Sequence, residues 1–278
     1  MTRAVGAVLT GLLAAGAARA AYSAFGRRPP GGAKTWTRTN HRGEQLTLLE
    51  GPAVAVGAVA AALATGGRPG VAMALAGAGA ASFGAYDDLA EGAAKKGLRG
   101  HIGALAHGEV TTGAVKLAGI GATGLASAAL AGGDPVDVAV NAGLIAGSAN
   151  LLNLFDLRPG RAIKVAALAG LAIGGSAAAP LGAAAALLPE DLAERAMLGD
   201  TGANAIGAML GTAAAVSLPR PVRVALLSGI VALTAASEKV SFTKVIERTA
   251  PLRWVDMLGR RPVPAPAPSV PVSAPPNQ

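Results

Sequence analysis

Three segments place carboxylates flush against apolar runs, where an ionised side chain is costly unless it has a task. The first is Asp87–Asp88, in GAYDDLAEG; the second is Asn150, Asn153 and Asp156, in NLLNLFD; the third is Asp200, in MLGDTGANAIG. Adjacent aspartates repel each other, and Mg2+ makes such a pair tolerable because it takes one or two carboxylates and completes its shell with water and substrate phosphate. Neighbours on a helix point about 100° apart, so one aspartate can hold metal while the other orients or deprotonates a substrate. Two solvated residues ending a helix explain the pair equally well. Asn150, Asn153 and Asp156 recur every third residue and share a helical face, suited to a polar ligand or to hydrogen bonds between helices. Asp200 reads either as a helix N-cap or as a free carboxylate beside a phosphate-binding N-terminus, with Gly199 and Gly202 permitting close approach.

Between these acids lies KKGLRGHIGALAHGEVTTGAVK. Its Lys96, Arg99, His101 and Lys116 form a basic, glycine-spaced segment suited to a pyrophosphate. A positively charged loop accounts for the lysines and arginine, but not for the Thr111–Thr112–Gly113 turn that leads into an apolar run containing Lys116.

The elements that must position these residues follow from composition. Of 278 residues, 52% are hydrophobic and 14% charged, with mean hydropathy +0.47; soluble domains carry about 25% charged residues. Cysteine is absent, which excludes disulfides, thiolate nucleophiles and Cys-based metal sites. The apolar stretches run the length of the chain, so the expected class is an all-α polytopic membrane bundle. The segment Ala4–Phe25, with Arg3 before it and Ala18, Ala20 and Ala21 near its end, imitates a secretory leader. Similar runs recur to residue 237, so it reads as a first transmembrane helix.

Nine spans are expected, at 4–26, 51–66, 69–86, 112–131, 135–152, 162–177, 179–189, 202–217 and 221–237. The tightest place is 162–189, which either folds as a short hairpin at Gly174, Gly175 and Pro180 or forms one tilted helix. Basic residues crowd alternate loops, while the other side keeps Arg3, Arg68, Arg220 and Arg223. That asymmetry assigns the crowded loops, and the acids with them, to the cytoplasm. It also favours the hairpin. Residues 1–260 form one integral-membrane domain, and 261–278 a disordered Pro-rich cytoplasmic tail. The charge of +8 is explained by these loops, and no nucleic-acid partner is expected.

In this order, DD at 87–88, KGLRGH at 96–101, TTGAVK at 111–116, NLLNLFDLRPGR at 150–161 and GDTGANAIG at 199–207 resemble the polyprenyl-phosphate N-acetylhexosamine-1-phosphate transferases. This is glycosyl transferase family 4, which includes phospho-N-acetylmuramoyl-pentapeptide transferase. The resemblance runs from about residue 36 to 260. It implies that a polyprenyl phosphate oxygen attacks the β-phosphorus of a UDP-sugar, releasing UMP in cell-envelope precursor synthesis at a bacterial inner membrane. It also implies Mg2+ held by Asp200, with Asp88 as second ligand. Asp87, Asp88 and Asp156 would then be catalytic, and Lys96, Arg99, His101, Thr112, Lys116, Asn150, Asn153 and Arg158 would contact substrate. The implied partners are the polyprenyl phosphate lipid, the UDP-sugar and the membrane, with a homodimer allowed.

Two positions depart from the family pattern. Pro159 stands where members often carry a second aspartate, and the histidine cluster of a late loop is missing, since the histidines are His41, His101 and His107. The late loop reads SEKVSFTKVIERTAPLRWVDMLGR. With NHRG near the start and DLRPGRAIK, it is similar to a divergent branch of the family. A member that binds lipid or nucleotide without turnover is the rival expectation. A transporter ranks last, because the charges sit at span ends rather than mid-span.

Overall fold

The computed structural model describes residues 2–40, 42–90 and 111–262. The chain opens with α1 (Thr2–Arg27) and a single turn, α2 (Ala33–Trp36), then a small antiparallel hairpin of β1 (Thr37–Thr39) and β2 (Gln45–Thr47). The helices that follow are α3 (Glu50–Thr65), α4 (Gly67–Leu89), α5 (Thr112–Ala131), α6 (Pro135–Phe155), α7 (Arg161–Ile173), α8 (Ala178–Leu192), α9 (Gly199–Ser217) and α10 (Arg220–Ser237). Two short helices, α11 (Phe242–Arg248) and α12 (Ala250–Met257), end the described chain. The all-α expectation holds, apart from the hairpin.

Each of the nine apolar runs is a helix, yet among the described residues four are long and apolar enough by themselves to cross a membrane: Arg3–Arg27, α5, α6 and α10. The others fall short in length or in apolarity. Helix α7 has 13 residues, α8 has 15 and α3 has 16. At 1.5 Å per residue, 13 residues reach about 20 Å, against a hydrocarbon layer of about 30 Å. Helices α4 and α9 are long enough, but glycine and polar residues dilute their hydropathy. Large apolar side chains nevertheless face outward around the bundle, among them Leu9, Leu12, Leu63, Leu125, Leu171 and Val231. An outward apolar surface of this extent, together with four membrane-length helices, fits a membrane-embedded protein.

The doubtful stretch is a hairpin. Helix α7 ends where the Gly174 N–H donates to the Gly170 carbonyl at 2.9 Å. Gly174 has φ +89°, a conformation that favours glycine. A 3-10 turn over Gly175–Ala177 then leads into α8. Pro180 lies in the first turn of α8, where a missing backbone donor costs nothing.

Helix α9 is the axis of the fold and is buried from Thr201 to Ala215. It packs mainly against α4 and α6, and also against α3 and α7. Small residues make this possible: a Cβ on Gly207 would lie 2.4 Å from the Ser148 carbonyl oxygen of α6. Helices α1, α3 and α8 pack on one side, whereas α10 leans on α6 and is otherwise open. An elongated apolar groove of about 450 Å³ remains between α10 and α6, α7 and α9.

Candidate functional site

The acidic residues singled out from sequence arrive at one end of the bundle on four helices. Asp87 and Asp88 close α4, Lys116 lies in the second turn of α5, Asp156 caps the C-terminus of α6, and Asp200 begins α9. The α4–α9 contact that joins two of them is very close, since a Cβ on Gly84 would meet the Asp200 carbonyl oxygen at 2.4 Å.

Neighbouring aspartates do different things because the helix turns between them. The Asp87 carboxylate accepts a hydrogen bond from Lys116 Nζ at 2.8 Å, and the same ammonium also contacts the Asp200 carboxylate. Asp88 points into the N-terminus of α9. Its Oδ1 accepts the Asp200 N–H at 3.0 Å, and its Oδ2 accepts the Thr201 N–H at 2.8 Å and the Thr201 hydroxyl at 2.6 Å. Helix N-termini leave backbone N–H groups without intrahelical partners, and here a carboxylate from another helix satisfies two of them. Asp156 adds a second such contact, accepting the Gly199 N–H.

This arrangement revises the reading of Asp200 as an N-cap. The cap position is Leu198, which has no side-chain cap, and Asp200 lies in the first turn with its carboxylate free for Lys116. The α9 N-terminus expected to receive phosphate already holds the carboxylates of Asp88 and Asp156.

Burial pushes the Asp200 carboxyl up to about 6, with Lys116 pulling it back and Asp88 adding to the rise. Burial also lifts Asp88, despite its bonds to Thr201 and Asp200. Asp156 is raised strongly by burial and then by the charges of Asp191, Asp200 and Asp88. Its Oδ2 is buried without a hydrogen-bond partner.

Two acids escaped the sequence reading. Glu50, the first residue of α3, is fully buried and neither carboxylate oxygen has a partner. Asp191, near the end of α8, is 2% exposed; the Gly160 N–H reaches its carboxylate, and Oδ2 is unpaired. Both lie within electrostatic reach of each other, and Glu50 also feels Asp156. The criterion that flagged Asp87, an acid at the edge of an apolar run, applies equally to LLEGPA and LPEDLA.

The remaining candidates divide. The Thr112 hydroxyl is buried beside Asp87 and helps to hold that carboxyl down. The Asn150 and Asn153 side chains are half-buried and, among the described residues, make none of the bonds between helices that were the alternative reading. Arg158 faces Glu247 of α11 at 3.9 Å. Its neighbour Arg161 is locked away, bonding Asp256 at 2.7 and 3.1 Å and the Thr243 hydroxyl at 2.8 Å. Asp256 also pairs with Arg260, so the late loop is tied to the start of α7. Lys96, Arg99 and His101 lie outside the described residues, as do His41 and His107.

The site can hold one cation between two carboxylates, as the Lys116 ammonium shows. Among the described residues, no group of three or more His, Asp or Glu side chains is set to bind a metal. Mg2+ usually requires one or two protein carboxylates, so the pair Asp87 and Asp200 fits it. Asp88, expected as a ligand, spends both oxygens on the α9 N-terminus. No family model matches this chain, and no curated protein matches it.

Proposed function

We propose that the chain crosses a bacterial inner membrane nine times, with the acidic end in the cytoplasm, and transfers a sugar-1-phosphate from a UDP-sugar to a polyprenyl phosphate, releasing UMP. The observation that carries this reading is the meeting of Asp87, Lys116, Asp156 and Asp200 from four helices at one end of the apolar groove. The groove lining reaches Leu151 and Leu152 on α6, about one helical turn short of Asp156. A polyprenyl chain lying there would bring its phosphate to the carboxylates. The alternation of helix directions supports the topology, because every odd crossing then ends, and every even crossing begins, at the basic end.

The reaction forms one bond, from a lipid phosphate oxygen to the β-phosphorus, and breaks the β-phosphorus bond to the oxygen that leaves with UMP. Such a transfer needs charge neutralisation and alignment more than covalent help from the protein. Asp87 and Asp200 would hold Mg2+, which supplies charge neutralisation to the phosphates. Lys116, on the neighbouring α5, adds a positive charge beside the phosphates. Asn150, Asn153 and Asp156, on one face above the groove, offer donors and an acceptor to the nucleotide and sugar. Asp88 keeps the first turn of α9, and therefore Asp200, in position.

A second reading also has a specific observation behind it. Asp88, Asp156 and Arg161 all make structural contacts, and Pro159 replaces an aspartate, which suits a member that binds lipid or nucleotide without turnover. The test is UMP release by purified protein with Mg2+, undecaprenyl phosphate and a panel of UDP-sugars, with Asp200→Asn as control. Lipid-dependent release lost in the variant supports the transferase. No release from any donor, by protein that retains lipid phosphate, favours binding alone.

A further inference from the structure

The Lys116 ammonium stands where a cation shared by Asp87 and Asp200 would stand. Its Nζ lies 2.8 Å from Asp87 Oδ2 and contacts Asp200 Oδ2. The backbone beneath it is fixed, because the Thr111 side chain accepts the Ala114 N–H at 3.1 Å and caps α5. The side chain itself is a flexible four-carbon stem. The three charged groups are 14, 19 and 24% exposed for Lys116, Asp87 and Asp200, so exchange with solution requires no unfolding. An ammonium and a divalent cation cannot both touch these two carboxylates, since like charges at contact distance repel strongly in a poorly hydrated site. Asp88 offers no second place, as both its oxygens are engaged.

We infer that Lys116 and a hard divalent cation compete for the Asp87–Asp200 pair, and that Lys116 swings out of the pair when the cation binds. Empty, the pair is held together by Lys116 and protected from its own repulsion. Loaded, the freed ammonium is left beside the site at the mouth of α5, where it can meet a substrate phosphate. Lys116 is thus a positioning residue that sets cation affinity. The inference rests on the divalent-cation reading above, but its test requires no turnover.

The experiment measures Mn2+ binding to the purified full chain by electron paramagnetic resonance of the free ion, for the unaltered protein, Lys116→Met and Asp200→Asn. Removing the competing charge should tighten Mn2+ binding about tenfold in Lys116→Met, while Asp200→Asn should lose the site. Equal or weaker binding in Lys116→Met overturns the competition and leaves the metal reading standing. No Asp200-dependent binding in the unaltered protein or Lys116→Met removes the metal reading and the competition with it. A second measurement uses the unaltered protein, following acylation of Lys116 by mass spectrometry. Mg2+ should speed modification by freeing the ammonium; an unchanged or slower rate overturns the inference.

Discussion

Replacing Asp88 with alanine should destabilise this protein more than replacing its neighbour Asp87. Asp88→Ala removes an acceptor of three hydrogen bonds and strands two backbone donors at the start of the most buried helix. Losing a helix cap costs about 0.5–2 kcal/mol, and each hydrogen bond to a charged group contributes about 1.5–3 kcal/mol. The burial that lifts the Asp88 carboxyl offsets part of this, which leaves a net loss of about 2–3 kcal/mol. For a chain of this size that lowers the unfolding midpoint by about 4–12 °C. Asp87→Ala removes a partner of Lys116 at a part-exposed site and should cost about 1 kcal/mol. The assay is thermal unfolding in one detergent, read by tryptophan fluorescence, with Asp88→Asn expected between the two because it keeps one acceptor. Equal midpoints for Asp88→Ala and Asp87→Ala would refute the assignment of Asp88 to the α9 N-terminus.

Asp191 titrates at about 7 through burial, so the folded chain holds a proton there that the unfolded chain releases near 4. Stability therefore falls as pH rises between those values and levels off above about 7, at about 1.4 kcal/mol for each unit of separation. Asp191→Asn should flatten that slope and raise the midpoint at pH 8, as measured by unfolding at several pH values. Arg161→Ala breaks the buried pair with Asp256, worth about 3 kcal/mol, and should let trypsin cut between Lys239 and Arg253 sooner, visible on a proteolysis gel. Gly229 lines the groove and has open space at its Cβ. Gly229→Phe should therefore fold normally yet raise KM for polyprenyl phosphate about tenfold with little change in kcat, measured by UMP release.

Much of the frame is local and was legible in sequence. Each helix begins and ends within a few residues of the edges of an apolar run, since hydrophobic length and breakers such as Gly174 act over one or two turns. The placing of Asp87, Asp156 and Asp200 at one end follows from helix count alone, because each long helix reverses the direction of the one before it. What each carboxylate meets there was decided by packing. Asp88 reaches donors 112 and 113 residues away, and Lys116 reaches acids 29 and 84 residues away on either side. Those distances close because Gly84 lets α4 lie against α9, and the turn between adjacent residues then sends Asp87 toward Lys116 and Asp88 toward the helix end. The pairing of Arg161 with Asp256 and the burial of Glu50 and Asp191 have the same origin. A side chain's type and its place on a helix are written in the chain, but its partner and its exposure depend on which other helix comes to lie against it.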